Sequence, residues 1–377
     1  MNLLQIFERG TLTESERKQN SKQILLFLGI VLASTVLLDF SIILPMVKET
    51  GATSLSELAS IESTLMFIPA VASLLARVAT GERITFSNMM IHFRLRGNKK
   101  YYALVWFGLM GICLLGSFLY YLIFPGRFDG NLSAVMELIK AAVEQGEDFG
   151  EVSVATLYRY IGLVFLVDII IGPFGNLVTF FGEEWGFKAY LLPRLYARFK
   201  TVPTLILSGL VSGLWYCPLI VIMGYQYGKD YFGAPVLGIV VWLIYSVALH
   251  IILSYSTIRT KSCIPAIMGR GVVAAYGSFG VYFYDASHMQ NYDVLLGPAV
   301  YGLIAMLPMV AVALFILLRL CKNENSVEPL IETVEQEKKV ASKGISVTNQ
   351  KNSANKMTMR EKAMLDTQDT DITKDQE

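Results

Sequence analysis

The sequence predicts an all-α fold: a polytopic membrane helix bundle of about eight transmembrane helices, with both termini cytoplasmic. Three observations predict it. Hydrophobic residues make up 54 % of the 377 positions and mean hydropathy is +0.49, above the range of ordinary water-soluble domains. Eight stretches approach the roughly 20 mostly apolar residues that cross a bilayer. Finally, Lys and Arg alternate in density from one connection to the next, although the net charge is only +1.

Residues 1–23 read as a charged cytoplasmic lead. The first span, 24–46, begins too late and runs too long for a cleaved signal peptide, and no small-residue cleavage site follows it. It reads as a retained anchor. The second, 60–79, is the weakest, being interrupted by Ser, Glu62 and Pro69. Six more follow at 102–124, 157–181, 202–224, 236–257, 263–284 and 295–319.

One set of connections carries Arg9, Arg17, Lys18, Lys22, Arg77, Arg83, Arg94, Arg96, Lys99, Lys100, Lys188, Arg194, Arg198, Lys200, Arg259, Lys261, Arg319 and Lys322. The other carries Lys48, Arg127, Lys140, Arg159 and Lys229. The positive-inside rule puts the first set, and with it both termini, in the cytoplasm. Within that set, the basic segment 80–101 reads as a topology-setting loop along the anionic inner surface.

The chain divides into the lead, N-terminal helices over 24–150, a transmembrane core over 151–320 and a tail over 321–377. In the longest outer loop, Leu132, Val135, Met136, Ile139, Ala142 and Val143 recur at helical spacing opposite Glu137, Lys140 and Glu144. They predict a short amphipathic helix on the outer face or over the bundle. Asn131-Leu132-Ser133 fits a glycosylation acceptor, which has meaning only in a eukaryotic chain. From Asn323 to Glu377 there is no Phe, Trp or Tyr. Such a tail buries too little apolar surface to offset its ordering entropy, so it reads as disordered. Cys113, Cys217, Cys263 and Cys321 show neither metal-site spacing nor a disulfide framework.

Chemistry concentrates at Gly182-Glu183-Glu184-Trp185-Gly186-Phe187-Lys188-Ala189-Tyr190-Leu191-Leu192-Pro193-Arg194-Leu195. Two adjacent carboxylates at the end of an apolar segment mark a candidate site, because charge at membrane depth is costly. Either could act as a base toward water. Adjacent helical residues diverge by about 100°, so one faces a cavity squarely and the other orients a partner. Lys188, four residues after Glu184, is placed to pair with it. The bland alternative is an acidic pair at the interface neutralised by Lys188 and Arg194.

The segment resembles the first motif of the CPBP family, multi-pass intramembrane proteases that include CAAX prenyl endopeptidases and bacteriocin-associated proteins. Ser208-Gly209-Leu210-Val211-Ser212-Gly213-Leu214-Trp215-Tyr216-Cys217-Pro218-Leu219 resembles the second motif. Ser262-Cys263-Ile264-Pro265-Ala266-Ile267-Met268-Gly269-Arg270-Gly271 resembles the third. The resemblance covers residues 155–285 and implies an intramembrane endopeptidase fold with Glu183 and Glu184 as its catalytic acids.

The departures fall on the family's functional positions. Lys188 replaces an Arg, Ser212 a Phe, Tyr216 a His, Arg270 a His, and Ala274 an Asn or His. The resemblance places Arg270 opposite the two glutamates, where its guanidinium would pair with them and Tyr216 would join the cluster. Such a locked cluster leaves no free base.

His92 and His288 fall on connections, and His250 in the sixth span reads as a buried structural histidine. Glu183, Glu184 and His250 make a poor zinc set, with no spacing that unites them. No cofactor is expected, and zinc only if the family chemistry survives. Asp39 and Asp168 read as polar contacts between helices, and Gly172-Pro173 with Gly175 predict a kink or break in the fourth span.

Three functions stay open, in descending order. The first is a degenerate, proteolytically inactive CPBP protein that acts as a binding or regulatory partner of another membrane protein. The second is an active intramembrane endopeptidase, CAAX-protease-like or bacteriocin-immunity-like. The third is a transporter, for which no inverted repeat is found. The expected partners are the lipid bilayer and a membrane or cell-envelope protein, with no nucleic acid. The expected location is a bacterial cell membrane.

Overall fold

The computed structural model of the chain describes residues 13–45, 64–144, 146, 148, 150–291 and 293–322. The described residues are helical apart from connections and one isolated bridge between Phe128 and Tyr284. Most of the predicted tail, from 323 onward, lies outside them, as do residues 1–12 of the lead. Packing divides the chain into a unit of Met1–Leu317 and a second of Leu318–Glu377, in which 318–322 are helical.

Among the described residues six helices are long and apolar enough to cross a membrane, as a polytopic helical bundle requires. Their spans are Glu14–Ile43, Lys99–Ile123, Val154–Gly175, Thr201–Met223, Val236–Thr260 and Ile264–Phe283. We name the helices in chain order: α1 (Glu14–Leu38), α2 (Ile68–Ala79), α3 (Lys99–Ile123), α4 (Ser133–Glu144), α5 (Val154–Gly175), α6 (Leu177–Glu184), α7 (Thr201–Trp215), α8 (Val236–Thr260) and α9 (Ile264–Tyr276).

The other two expected spans are shorter. Pro69, read as an interruption, sits in the first turn of the 12-residue α2, where its missing N–H is no loss. Over 294–306 the chain makes turns, and a helix begins only at 307. Pro298 cannot donate to a helix and Gly297 takes a φ of +141°, which ends helical continuity there.

The fourth span also differs from its expected extent. It splits at Asn176 (φ −90°, ψ 8°), after Gly172, the in-helix Pro173 and Gly175. The motif acids therefore end a separate short helix, α6, rather than the span itself. Beyond Glu184 the chain widens into a π-turn, Trp185–Leu191, and resumes as Leu192–Tyr196.

Small residues set how closely these elements approach. A Cβ at Gly182 would lie 2.5 Å from the Met66 carbonyl oxygen, and one at Gly186 would lie 2.5 Å from Pro69. The two glycines, four apart, thus press α2 against the motif segment. Gly209 and Gly213 do the same for α7 against α8, where a Cβ would meet the Val247 Cα at 2.7 Å and the Ser246 Cβ at 2.9 Å.

The predicted amphipathic loop helix is α4. With Leu132 it packs over α5, where Leu132, Leu157 and Ile161 form a small core with Val135, Met136, Ile139 and Phe283. The basic segment folds against the bundle at its middle: the Met90 carbonyl accepts from the Cys263 N–H at 3.0 Å, and the Met89 carbonyl from Trp185 Nε1 at 2.9 Å.

Candidate functional site

Both motif carboxylates are fully buried, as is Lys188, and Arg270 keeps only 6 % of its surface. At this depth each charge needs a partner, since an uncompensated one costs several kcal/mol. The bundle supplies partners from three helices besides α6.

Arg270, on α9, extends Nη2 to Glu183 Oε2 at 3.0 Å and to the Tyr216 hydroxyl at 2.8 Å. The Tyr216 hydroxyl in turn donates to Glu183 Oε2 at 3.0 Å. One phenol therefore accepts from the guanidinium and donates to the carboxylate, closing a three-membered ring of polar contacts. Phe180 and Tyr216 lie against the guanidinium, with ring centroids at 5.0 and 5.8 Å from its carbon.

Glu184 faces a different set. Its carboxylate lies 4.0 Å from Lys188 Nζ, 4.0 Å from His250 Nδ1 and 3.7 Å from Arg270 Nε. These are ion-pair distances, not hydrogen bonds, and both Glu184 oxygens together with Glu183 Oε1 lack a hydrogen-bond partner. Lys188 Nζ is instead held by His250 Nδ1 at 2.7 Å and Ser208 Oγ at 3.1 Å. An ammonium donating to Nδ1 leaves the ring proton on Nε2. Ser254 Oγ extends the chain to Ser208 at 3.2 Å.

The backbone explains why adjacent glutamates both join. Their divergence sends Glu183 toward Tyr216 and Glu184 toward α8, and Arg270 spans the two. The π-turn that starts at Trp185 re-aims Lys188 so that it touches α7 and α8 while staying near Glu184.

His250 corrects the sequence reading. It is not remote from the acids: Glu183, Glu184 and His250 bring one ligand atom each within 4.8 Å of one another. A dication nonetheless fits poorly. Lys188 lies within 4.0 Å of Glu184 and Arg270 within 4.0 Å of both carboxylates, and Glu183 Oε2 is already taken by two donors. Two fixed positive charges beside three prospective ligands oppose a metal.

Of the remaining expected positions, Ser212 stays out of the cluster, bonding back to the Ser208 carbonyl at 3.0 Å. Ala274 carries only a methyl. Arg194 does not neutralise the motif acids. It reaches Glu82 and lies 3.2 Å from Gln23 Oε1 and 3.5 Å over the Tyr190 ring. Glu82 also pairs with Arg77 at 2.5 Å, so a second polar knot ties the motif helix to α1 and α2.

Asp39 is fully buried, and among the described residues neither of its oxygens has a hydrogen-bond partner that would make the expected contact between helices. Asp168, on α5, is half-buried with Tyr276 and Tyr282 as electrostatic neighbours.

Residues 163–276 match the family model of type II CAAX prenyl endopeptidase Rce1-like. Over that stretch the helical core is similar to a CPBP-type membrane protease. The matched segment runs from within α5 to the end of α9 and holds every member of the cluster, from Glu183 to Arg270. No curated protein and no solved structure matches the chain. Within this Rce1-like segment the sequence reading missed His250 and Ser208. A signal existed: Ser246, His250 and Ser254 recur every four residues, a polar stripe along one face of an otherwise apolar α8.

Proposed function

We propose that this CPBP-type protein does not hydrolyse peptide bonds and acts as a binding or regulatory partner of another membrane protein. One observation carries the reading. Where the resemblance calls for imidazoles, Arg270 and Tyr216 bond to Glu183 and to each other. A permanent cation cannot relay protons at neutral pH, and a phenol does so poorly. Glu183 is held as a counter-ion rather than freed as a base. In this reading Glu183, Glu184, Lys188, Tyr216 and Arg270 form the locked remnant of a catalytic site, with Ser212 and Ala274 as silent positions.

The test is hydrolysis of a prenylated CAAX peptide by the full chain in bilayer nanodiscs. No cleavage above that of Glu183→Gln and Glu184→Gln is expected. Cleavage by the native chain that either substitution abolishes overturns the proposal.

His250 favours a second reading, in which the chain is an unusual active endopeptidase. Glu184 keeps both oxygens free of hydrogen bonds, and an imidazole stands 4.0 Å away. A water held between them could be activated by Glu184. The same assay decides this, with His250→Ala as the informative variant.

A bacterial cell membrane, cytoplasmic termini and the partner's chemistry belong to this proposal as well. The charge alternation along the sequence supports the orientation.

A further inference from the structure

A cavity of about 350 Å³ opens beside the cluster, bounded by residues of α6, α8 and α9. Arg270 forms part of its wall, and so does Ala274, one turn further along α9. The guanidinium is not fully used by the protein. Nη2 serves both Glu183 and Tyr216, while Nε lies buried without a hydrogen bond, 3.7 Å from Glu184. Nη1 makes no hydrogen bond among the described residues, in a side chain that keeps only 6 % of its surface. It is the guanidinium nitrogen left for the cavity.

We infer that this cavity binds a small carboxylate-bearing molecule, anchored on Arg270 Nη1 and seated against the aromatic side chains around it. The inference rests on the proposal that the site does not hydrolyse peptide bonds, because Arg270 then serves as an anchor in place of a catalytic group.

Three features select the ligand class. First, a buried guanidinium with an unused nitrogen is completed by an anion, in a charge-assisted hydrogen bond stronger than a neutral one. Second, the anion must carry a single charge. Glu183 sits 3.0 Å from Nη2 and Glu184 lies 3.7 Å from Nε, so a dianion such as phosphate would meet two carboxylates across one cation. Third, the walls include the aromatic side chains Phe180, Trp242 and Tyr245, suited to an apolar or aromatic body, together with the polar Asn176 and Thr179 at the start of α6. The volume lies at the small end of the roughly 300–1,000 Å³ of ordinary ligand sites. Ala274 keeps this space open, where the resemblance calls for an Asn or His.

A free organic acid and the C-terminus of a peptide share this chemistry. The full chain in nanodiscs is titrated by calorimetry with phenylacetate, neutral phenylacetamide, inorganic phosphate, the dipeptide Gly-Phe and its C-terminal amide. Phenylacetate or Gly-Phe is expected to bind at least about tenfold more tightly than its own amide, with phosphate weaker than either. Tighter binding of Gly-Phe assigns the carboxylate to a peptide terminus, and tighter binding of phenylacetate to a free acid. Either result supports the inference.

Ala274→Trp projects an indole into the cavity from one turn beyond Arg270 and leaves Glu183, Tyr216 and Arg270 themselves unsubstituted. It is expected to abolish binding while the thermal unfolding midpoint stays in place. Equal affinity for acid and amide, binding of neither acid, preference for phosphate, or undiminished binding to Ala274→Trp overturns the inference. Cleavage of a prenylated peptide would remove the functional proposal alone, since the acid-to-amide ratios are read independently of turnover.

Discussion

Arg270 and Glu183, 87 residues apart in the chain, meet at 3.0 Å in the interior of the bundle, with the Tyr216 hydroxyl bonded to both. The pair joins α9 to the motif helix, with Glu183 fully buried and Arg270 exposed only at the wall of the cavity.

Removing one partner strands the other. Arg270→Leu is expected to destabilise the chain by about 3–5 kcal/mol, the usual cost of leaving a buried charge uncompensated. Arg270→Leu combined with Glu183→Leu should recover most of that loss, because the stranded charge leaves with its partner. Denaturant unfolding in mixed micelles reads both. A single variant as stable as the native chain would mean that the contact holds nothing together.

Lys188 is held differently and predicts a different pattern. It donates to His250 at 2.7 Å and to Ser208 at 3.1 Å, with Glu184 at 4.0 Å. Lys188→Met removes one of the two counter-charges within 4.0 Å of Glu184 and should cost about 3 kcal/mol. His250→Leu removes one acceptor from a cation that keeps Ser208 and Glu184, so a loss of about 1–2 kcal/mol is expected. A double-mutant cycle between the two positions should return a coupling of about 1 kcal/mol or more. Strict additivity would contradict the contact.

How much of this was legible follows from the range of each interaction. Arg270 announced its counter-charge, because a guanidinium inside an apolar span demands one, and the family resemblance placed it opposite Glu183 and Glu184. Gly172-Pro173 announced the break before α6 through backbone chemistry alone. His250 was not legible as a member of the site. It reaches Lys188 from 62 positions away, across a helix pair set by Gly209 and Gly213, and a lone histidine in a span carries no register.

Arg77 was read as one more basic residue of a cytoplasmic connection. It is 1 % exposed and paired with Glu82, because the chain after α2 turns back on itself and donates the Glu82 N–H to the Arg77 carbonyl. Composition cannot distinguish a buried arginine from a solvated one. The span count slipped for a local reason as well: apolar content at 295–319 met the length requirement, but Pro298 delays the helix to 307.

Asp129 gives the start of α4 a pH dependence. It caps α4 by accepting from the Ser133 N–H at 3.1 Å and the Asn131 N–H at 2.8 Å. Hydrogen bonds from Ser133, and then from the Asn131 backbone, hold its carboxyl below the ordinary aspartate value. The folded value is the depressed one. The contribution is therefore fully present above the unfolded value of about 3.9 and disappears as pH falls through the folded value. Protection factors of the α4 amides, exchange being taken relative to the intrinsic rate at each pH, should fall below about pH 4 and stay flat from there to neutrality. Asp129→Asn should remove the acid dependence, since a neutral amide still caps but does not titrate. A loss of protection that begins near pH 6 would point to another group.

The close approach of α7 to α8 makes the last prediction. Gly209 sits where a Cβ would come within 2.7 Å of the Val247 Cα, and Gly213 where it would meet the Ser246 Cβ at 2.9 Å. Both neighbours belong to the α8 backbone or its first side-chain atom, so neither yields by rotating a flexible tail. Gly209→Ala must push the helices apart by several tenths of an ångström, at a cost of about 1–3 kcal/mol, despite the better helix propensity of alanine. The shift also carries Ser208 away from Ser254 and loosens the Lys188 contacts. Gly209→Ala should therefore lower the unfolding midpoint in Lys188→Met less than in the native chain. At Gly111 on α3, where nothing lies within 4 Å of an added Cβ, the same substitution should leave stability unchanged or raise it. Equal effects at Gly209 and Gly111 would show that helix propensity, rather than the packing of α7 on α8, sets the response.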